Sequence, residues 1–274
     1  ETAAFAYTDF GPAGKVVKRT EVKDLEILQA VFENNVRFNF KHTEFEKGTL
    51  RVLINFGGGK LVAPTDKPGL IPFAQSTFQL GGLEKHGVDE LRRIFASRTV
   101  GSDFTVGDEA FLLSGRTTPA DLDAQLQLLT AYLVAPGYRD EAARQFEKNI
   151  DPLYTQLNHT AEGVMNNDVV AFMHSGDPRW GFPKMEELKK RSLAELKEWL
   201  TPALKESYLE VTVLGDTDAE TALNAVARTL GALPKRAEKK PAYEKERAVA
   251  FPKPDASKSF PFETEIPKAI ATIY

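Results

Sequence analysis

Two segments of strict two-residue alternation constrain this chain more than any other feature. Val36, Phe38 and Phe40 alternate with Arg37, Asn39 and Lys41. Leu50, Val52, Ile54 and Phe56 alternate with Arg51, Leu53 and Asn55. Successive side chains of a strand point to opposite faces, so each segment predicts a strand of a sheet with one buried face. Glu46-Lys47-Gly48 offers a hairpin turn between them.

The rest of the chain adds helices in clusters. Helices are expected over 68–80, closed by Gly81-Gly82, and over 88–97. A second strand pair is expected at 104–106 and 110–114. Thr118-Pro119-Ala120-Asp121 resembles a capping box, and Leu122, Leu126, Leu129 and Leu133 follow as one helical stripe. Further helices are expected over 140–157 and 162–173. Ser192-Leu193-Ala194-Glu195 is a second capping box ahead of Leu196, Trp199 and Leu200. A strand at 210–214 and a helix carrying Leu223, Val226 and Leu230 complete the pattern. Clustered rather than alternating elements indicate an α+β fold with a mostly antiparallel sheet. The expected organisation is a linker over 1–24, an α+β domain over 25–233, a charged linker over 234–259 and a truncated first strand of a following domain over 260–274. The missing initiator Met and the apolar end Ile270-Ala271-Thr272-Ile273-Tyr274 fit a piece of a longer protein.

Composition removes several function classes. With 35 basic and 39 acidic residues the net charge is -4, without the basic excess of a nucleic-acid binder. There are no cysteines, so disulfides, thiolate catalysis and cysteine-ligated zinc are excluded. No apolar run reaches the ~18 residues of a membrane-spanning helix, and the N-terminus has no signal-peptide pattern. Neither a membrane nor nucleic acid is expected as a partner.

No complete catalytic motif is present. Gly57-Gly58-Gly59-Lys60 is followed by Leu61, where a phosphate loop needs Ser or Thr, and fits a strand end better. Among His42, His86, His159 and His174 no pair has the spacing of a zinc helix. His86 with Asp89 and Glu90 lacks a second imidazole, and acids at a helix start explain those charges. Ser114-Gly115 and Ser175-Gly176 lack the nucleophile elbow. Glu186-Glu187-Leu188-Lys189-Lys190-Arg191 has the mixed charge of a solvated face.

Several stretches together resemble the insulinase/pitrilysin family of zinc peptidases. They are Asn34-Asn35-Val36-Arg37-Phe38 through Phe56-Gly57-Gly58-Gly59, then Pro68-Gly69-Leu70 to Leu80-Gly81-Gly82, and Phe111-Leu112-Leu113-Ser114-Gly115 with the helix ending Leu129-Thr130-Ala131-Tyr132-Leu133. Gly181-Phe182-Pro183, Leu193-Ala194-Glu195-Leu196, Val213-Leu214-Gly215-Asp216 and Gly231-Ala232-Leu233-Pro234 follow in order. The resemblance implies a repeated α+β unit whose sheet is covered on one side by helices, two units per half, and two halves around a peptide chamber. In the catalytic half the first long helix carries HxxEH, whose two His bind zinc while the Glu acts as general base on the bound water. Here those positions fall on Pro72, Gln75 and Ser76, and the further Glu ligand falls loosely near Glu147. Proline has no donor atom, neutral glutamine is no base, and serine is not a usual zinc ligand. No residue of this chain is therefore assigned as catalytic, cofactor-binding or metal-ligating.

The resemblance implies the first unit of a non-catalytic second half of a bacterial zinc metalloendopeptidase, with no cofactor of its own. Zinc is implied for the catalytic half of the parent, and the partners would be that half, or a partner subunit, and the peptide substrate. Exported relatives imply the periplasm. The alternative is a non-catalytic binding or assembly protein of the same fold.

Overall fold

The computed structural model describes residues 3–265 and 267–273. A seven-stranded sheet runs in the order β1-β2-β3-β7-β4-β6-β5. The strands are β1 (Val16–Val22), β2 (Ile27–Phe32), β3 (Arg37–His42), β4 (Leu50–Phe56), β5 (Asp103–Val106), β6 (Phe111–Thr117) and β7 (Leu209–Gly215). All neighbours pair antiparallel except β3 and β7. The α+β, mostly antiparallel expectation holds.

The helices are α1 (Leu70–Thr77), α2 (Val88–Ile94), α3 (Leu122–Val134), α4 (Asp140–His159), α5 (Ala161–Val164), α6 (Val170–Met173), α7 (Met185–Leu188), α8 (Leu193–Glu206) and α9 (Ala219–Arg228). A π-helical turn, Met165–Val169, joins α5 to α6. Phe38, Phe40, Val52, Ile54, Phe56, Leu113, Val211 and Val213 face the helices and are buried. The opposite face presents Gln29, Asn39, Arg51, Asn55 and Arg116, alternating with those core residues along each strand. The alternation in β3 and β4 is thus a direct record of one covered and one uncovered face.

The pairing of those two strands is a correction. They form no hairpin, because β7 lies between them, with Phe38 beside Val211 and Val52 beside Val213. Alternation fixes which face a residue takes but carries no information about which strand lies beside it. The real hairpin joins β2 to β3 across Asn34-Asn35. Asn35 takes a left-handed φ of 72°, a conformation asparagine tolerates better than most residues. Asn34 is buried and donates from Nδ2 to the carbonyls of Leu230 and Leu233, both at 2.9 Å.

A second correction concerns 1–24. Residues 16–22 of that stretch are not a linker but β1, the edge strand paired to β2. Six of its seven residues are exposed and the seventh is half-buried, so the strand has no buried set to betray it by periodicity. Ahead of it, Phe5 packs edge-to-face on Phe95 at 5.0 Å.

Capping chemistry behaves as expected at one site and not at the other. Ser192 Oγ accepts from Glu195 N–H, and Glu195 Oε2 accepts from Ser192 N–H, so the box that opens α8 is complete. Thr118 instead opens a 3₁₀ turn, and Asp121 Oδ2 accepts from Thr99 N–H at 2.8 Å.

The segment 234–259 is also laid onto the body. Arg236 is buried under the C-terminus of α8, and Arg247 pairs with Glu109. The expected strand at 260–274 is not formed among the described residues 260–265 and 267–273. Ile266 and Tyr274 lie outside the described residues, as do Glu1 and Thr2.

Candidate functional site: helix α1 and its outward face

Helix α1 is shorter than the expected 68–80, and its start is set by Gly69. That residue takes φ +90°, and a Cβ there would meet Leu188 Cδ1 at 2.7 Å. Leu70, Ile71, Phe73, Ala74 and Thr77 turn inward. Phe73 packs edge-to-face on Phe146 of α4 at 5.1 Å, and Thr77 Oγ1 donates to the Phe73 carbonyl at 2.7 Å. Pro72 sits in the first turn, where a missing N–H costs no helical hydrogen bond. Helix α1 packs against α4, α8 and the edge strand β5.

Pro72, Gln75 and Ser76 are therefore on a real helix and on its outward side. Pro72 is half-buried, while Gln75 and Ser76 are exposed. Their spacing would bring two ligands and a base to one face, but the three side chains offer no imidazole and no carboxylate. Gln75 has another use: its Oε1 accepts from the backbone N–H of Val106 at 3.2 Å. That N–H lies on β5, whose far side has no neighbouring strand among the described residues. The amide thus satisfies a sheet-edge donor, which is one way an exposed edge is kept from recruiting another chain. Glu147 is exposed on α4, one residue after the Phe146 that packs on α1. The donor set does not fit a zinc ion.

The four histidines do not converge. His42 ends β3, and His159 Nδ1 lies 3.3 Å from the Glu263 carbonyl. His174 stacks on Trp180 with ring centroids 4.5 Å apart. His86 is buried, contrary to the surface helix start expected for it. Its Nε2 accepts from Ala6 N–H at 3.0 Å, so Nδ1 carries the proton and donates to Glu90 Oε2, also at 3.0 Å. Phe5 stacks on the same ring at 5.7 Å. His86 and Glu90 thereby anchor the N-terminal segment, a role that sequence spacing could not reveal because the partner is 80 residues away.

Among the described residues, donor atoms within metal-binding reach of one another occur at His42, Glu44 and Asp216. Two of these are already engaged in turns. His42 Nδ1 faces the Thr217 carbonyl at 3.0 Å, and Asp216 Oδ2 accepts from Gly48 N–H at 2.7 Å. The backbone carbonyl of Thr217, followed by Glu44 and Asp216, raises the His42 pKa from its ordinary value. The Gly57-Gly58-Gly59 triplet closes β4 as expected: a Cβ on Gly59 would lie 2.2 Å from the Gly107 carbonyl oxygen.

No protein-family model matches the chain. Several solved structures share its architecture. The periplasmic protease PqqL from Escherichia coli overlaps 93% of this chain and 28% of its own, with a TM-score of 0.76 and 16% identity. The first half of PqqL, solved alone, overlaps 84% of this chain and 50% of its own, with a TM-score of 0.65 and 13% identity. Pitrilysin overlaps 84% of this chain and 26% of its own, with a TM-score of 0.63 and 12% identity. The fold is that of an insulinase/pitrilysin-type peptidase unit. A peptidase M16 inactive domain from Pseudomonas fluorescens shares this insulinase/pitrilysin-type fold over 77% of this chain and 52% of its own, with a TM-score of 0.62 and 14% identity. Among curated proteins, the chloroplastic stromal processing peptidase of Arabidopsis thaliana is 20% identical over 223 residues, which is 80% of this chain and 18% of that protein. The chain thus spans about a quarter of the full-length proteases, about half of the shorter pieces, and under a fifth of the curated relative.

Proposed function

We propose that this chain is a non-catalytic domain of a zinc-dependent metalloendopeptidase. It helps enclose the peptide substrate and supports a catalytic half that carries the zinc. The observation behind this is the outward face of α1, which carries Pro72, Gln75 and Ser76, the residues that the resemblance puts at the positions of two ligands and a base. Gln75 is moreover spent on the β5 edge. The span of the chain supports the same reading. Its TM-score of 0.76 to whole PqqL against 0.65 to the first half favours a unit outside the first half. The existence of an inactive domain of this fold agrees with it.

The physical role follows from the architecture. A sheet with helices on one face leaves a broad polar face uncovered, and such a face can form a wall against which a second body closes. The zinc chemistry belongs to the other half, where bound water would be activated by the metal. Periplasmic placement is proposed with it, from the exported relatives.

The test is complementation. The purified chain is mixed with the HxxEH-bearing half of the same source, and cleavage of a quenched fluorescent peptide is followed. Cleavage should rise by at least about tenfold over the zinc-bearing half alone, an effect of ordinary size for completing a site. Unchanged cleavage at saturating chain, with the two bodies bound, would point to an assembly protein and reject the proposal.

A further inference from the structure

The uncovered sheet face carries a groove of about 240 Å³ that spans β1, β2, β3 and β7. Its cationic groups are Lys18 on β1 and Arg37 on β3; its acid is Glu210 on β7. Strand register places Lys18 opposite Val31, Val31 opposite Arg37, and Arg37 opposite Glu210, so all lie in one row across the face.

The charges in this row are not matched as a structural ion pair would be. Glu210 turns to Asn39, whose Nδ2 donates to Oε1 at 2.7 Å, and Asn39 in turn accepts from Gln29 at 3.0 Å. Arg37 is left without a carboxylate among the described residues. Its guanidinium lies over the Tyr208 ring, 5.5 Å from the centroid. Among the described residues its guanidinium makes one hydrogen bond, a long contact of 3.4 Å from Nη2 to the Glu238 carbonyl. Its Nε is shut off from solvent and has no hydrogen-bond partner. Lys18, on an exposed edge strand, is likewise unpaired among the described residues.

A half-buried guanidinium held over an aromatic ring has already lost much of its rotamer freedom and some of its hydration. With Nε closed off and Nη2 only loosely engaged, the donors left to a ligand are those of the two terminal nitrogens, and a carboxylate is the group whose geometry matches that pair. The geometry points to a carboxylate-binding subsite formed by Arg37, with Tyr208 as its platform and Lys18 at its rim. Its ligand is an acidic side chain or the C-terminal carboxylate of a peptide lying across the sheet. This deepens the reading of the chain as a wall of a peptide chamber and rests on it. The sequence marks Arg37 only as the charged position of an alternating strand, and nothing in the proposed support of a catalytic half uses it.

The test uses the chain alone, so it can fail while complementation succeeds. Three dye-labelled, alanine-rich hexapeptides are titrated at low salt by fluorescence anisotropy. One is amidated with a central glutamate, one is amidated with glutamine there, and one is the glutamine peptide with a free C-terminus. At least one carboxylate-bearing peptide should bind about tenfold more tightly than the neutral one, the size of a charge-assisted hydrogen bond. The peptide that gains identifies the source of the carboxylate. Arg37→Gln should remove the difference, and Arg37→Lys should restore part of it. Lys18→Gln, on the exposed edge, should reduce it several-fold without touching the core. Equal binding of all three peptides, no binding of any, or discrimination that survives both Arg37→Gln and Lys18→Gln would overturn the subsite.

Discussion

Arg236→Met will lower the stability of the domain by about 3–5 kcal/mol, the cost of leaving several buried carbonyls without a donor at about 1–3 kcal/mol each. The sequence Pro234-Lys235-Arg236-Ala237-Glu238-Lys239-Lys240 has the character of a solvated linker, yet Arg236 is 5% exposed. Its guanidinium donates to the carbonyls of Ala203, Leu204 and Ser207, each at 2.8 Å, and of Lys205 at 3.2 Å. Three of these belong to the last turn of α8, whose carbonyls have no partner within the helix. A fixed positive charge there also opposes the negative end of the helix dipole. Burial pulls the Arg236 pKa down to about 10, which still leaves it charged at neutral pH. The backbone joins in: Arg236 N–H donates to Asn34, and its carbonyl accepts from Asn35 Nδ2 at 2.7 Å. One residue therefore ties the β2–β3 turn to the end of α8. Methionine fills similar volume but leaves the carbonyls of Leu204, Lys205 and Ser207 without this donor, while Ala203 keeps Ser207 Oγ at 2.6 Å. Urea unfolding should show a lower midpoint with an unchanged slope. Arg236→Lys should recover only part of the loss, since one ammonium cannot replace a planar fork. A midpoint within error of the parent for Arg236→Met would show that water replaces the guanidinium.

Phe111→Ala carries the other large effect, a loss of about 3–5 kcal/mol for a fully buried aromatic truncated in a core. Phe111 is 0% exposed and begins β6, where the sheet meets α8. Its ring lies 5.5 Å from Phe56, 6.1 Å from Phe104 and 5.2 Å from Trp199. The backbone is shaped around it as well, since a Cβ on Gly57 would meet Phe111 at 2.7 Å. With glycine at that crowded point the surroundings cannot close easily over a void, so the cavity term stays large. Phe111→Leu keeps most of the volume and should cost about 1–2 kcal/mol. The two midpoints, measured in the same urea series, separate cavity from contact. Equal midpoints for both variants would mean that the site collapses.

What could be read from sequence divides along physical lines. Strands β3, β4 and β7 were legible because each has one buried face, and α8 because Ser192 and Glu195 sit at a capping spacing. β2 was hidden: its inward Leu28, Ala30 and Phe32 alternate with outward Ile27 and Val31, which are apolar too. β1 has no inward set at all. The insertion of β7 between β3 and β4 is a long-range choice that no local pattern encodes. Arg236 and His86 share a different difficulty. A charged or titratable letter reads as surface until its distant partners are known, and theirs are about 30 and 80 residues away. The helix that carries Pro72, Gln75 and Ser76 was legible from its flanking Pro68-Gly69 and Gly81-Gly82. The bond from Gln75 to β5 was not, since it depends on which strand ends at the sheet edge.

The central claim is that this chain lacks the zinc chemistry of the peptidases whose fold it has, and metal analysis tests it most directly. The purified chain is equilibrated with excess zinc, passed through a desalting column and assayed for metal content and for cleavage of a fluorescent peptide. The account predicts far less than one zinc per chain and no cleavage, because the outward face of α1 offers Pro72, Gln75 and Ser76. One tightly held zinc per chain, lost on mutation at these positions or at Glu147, would contradict it.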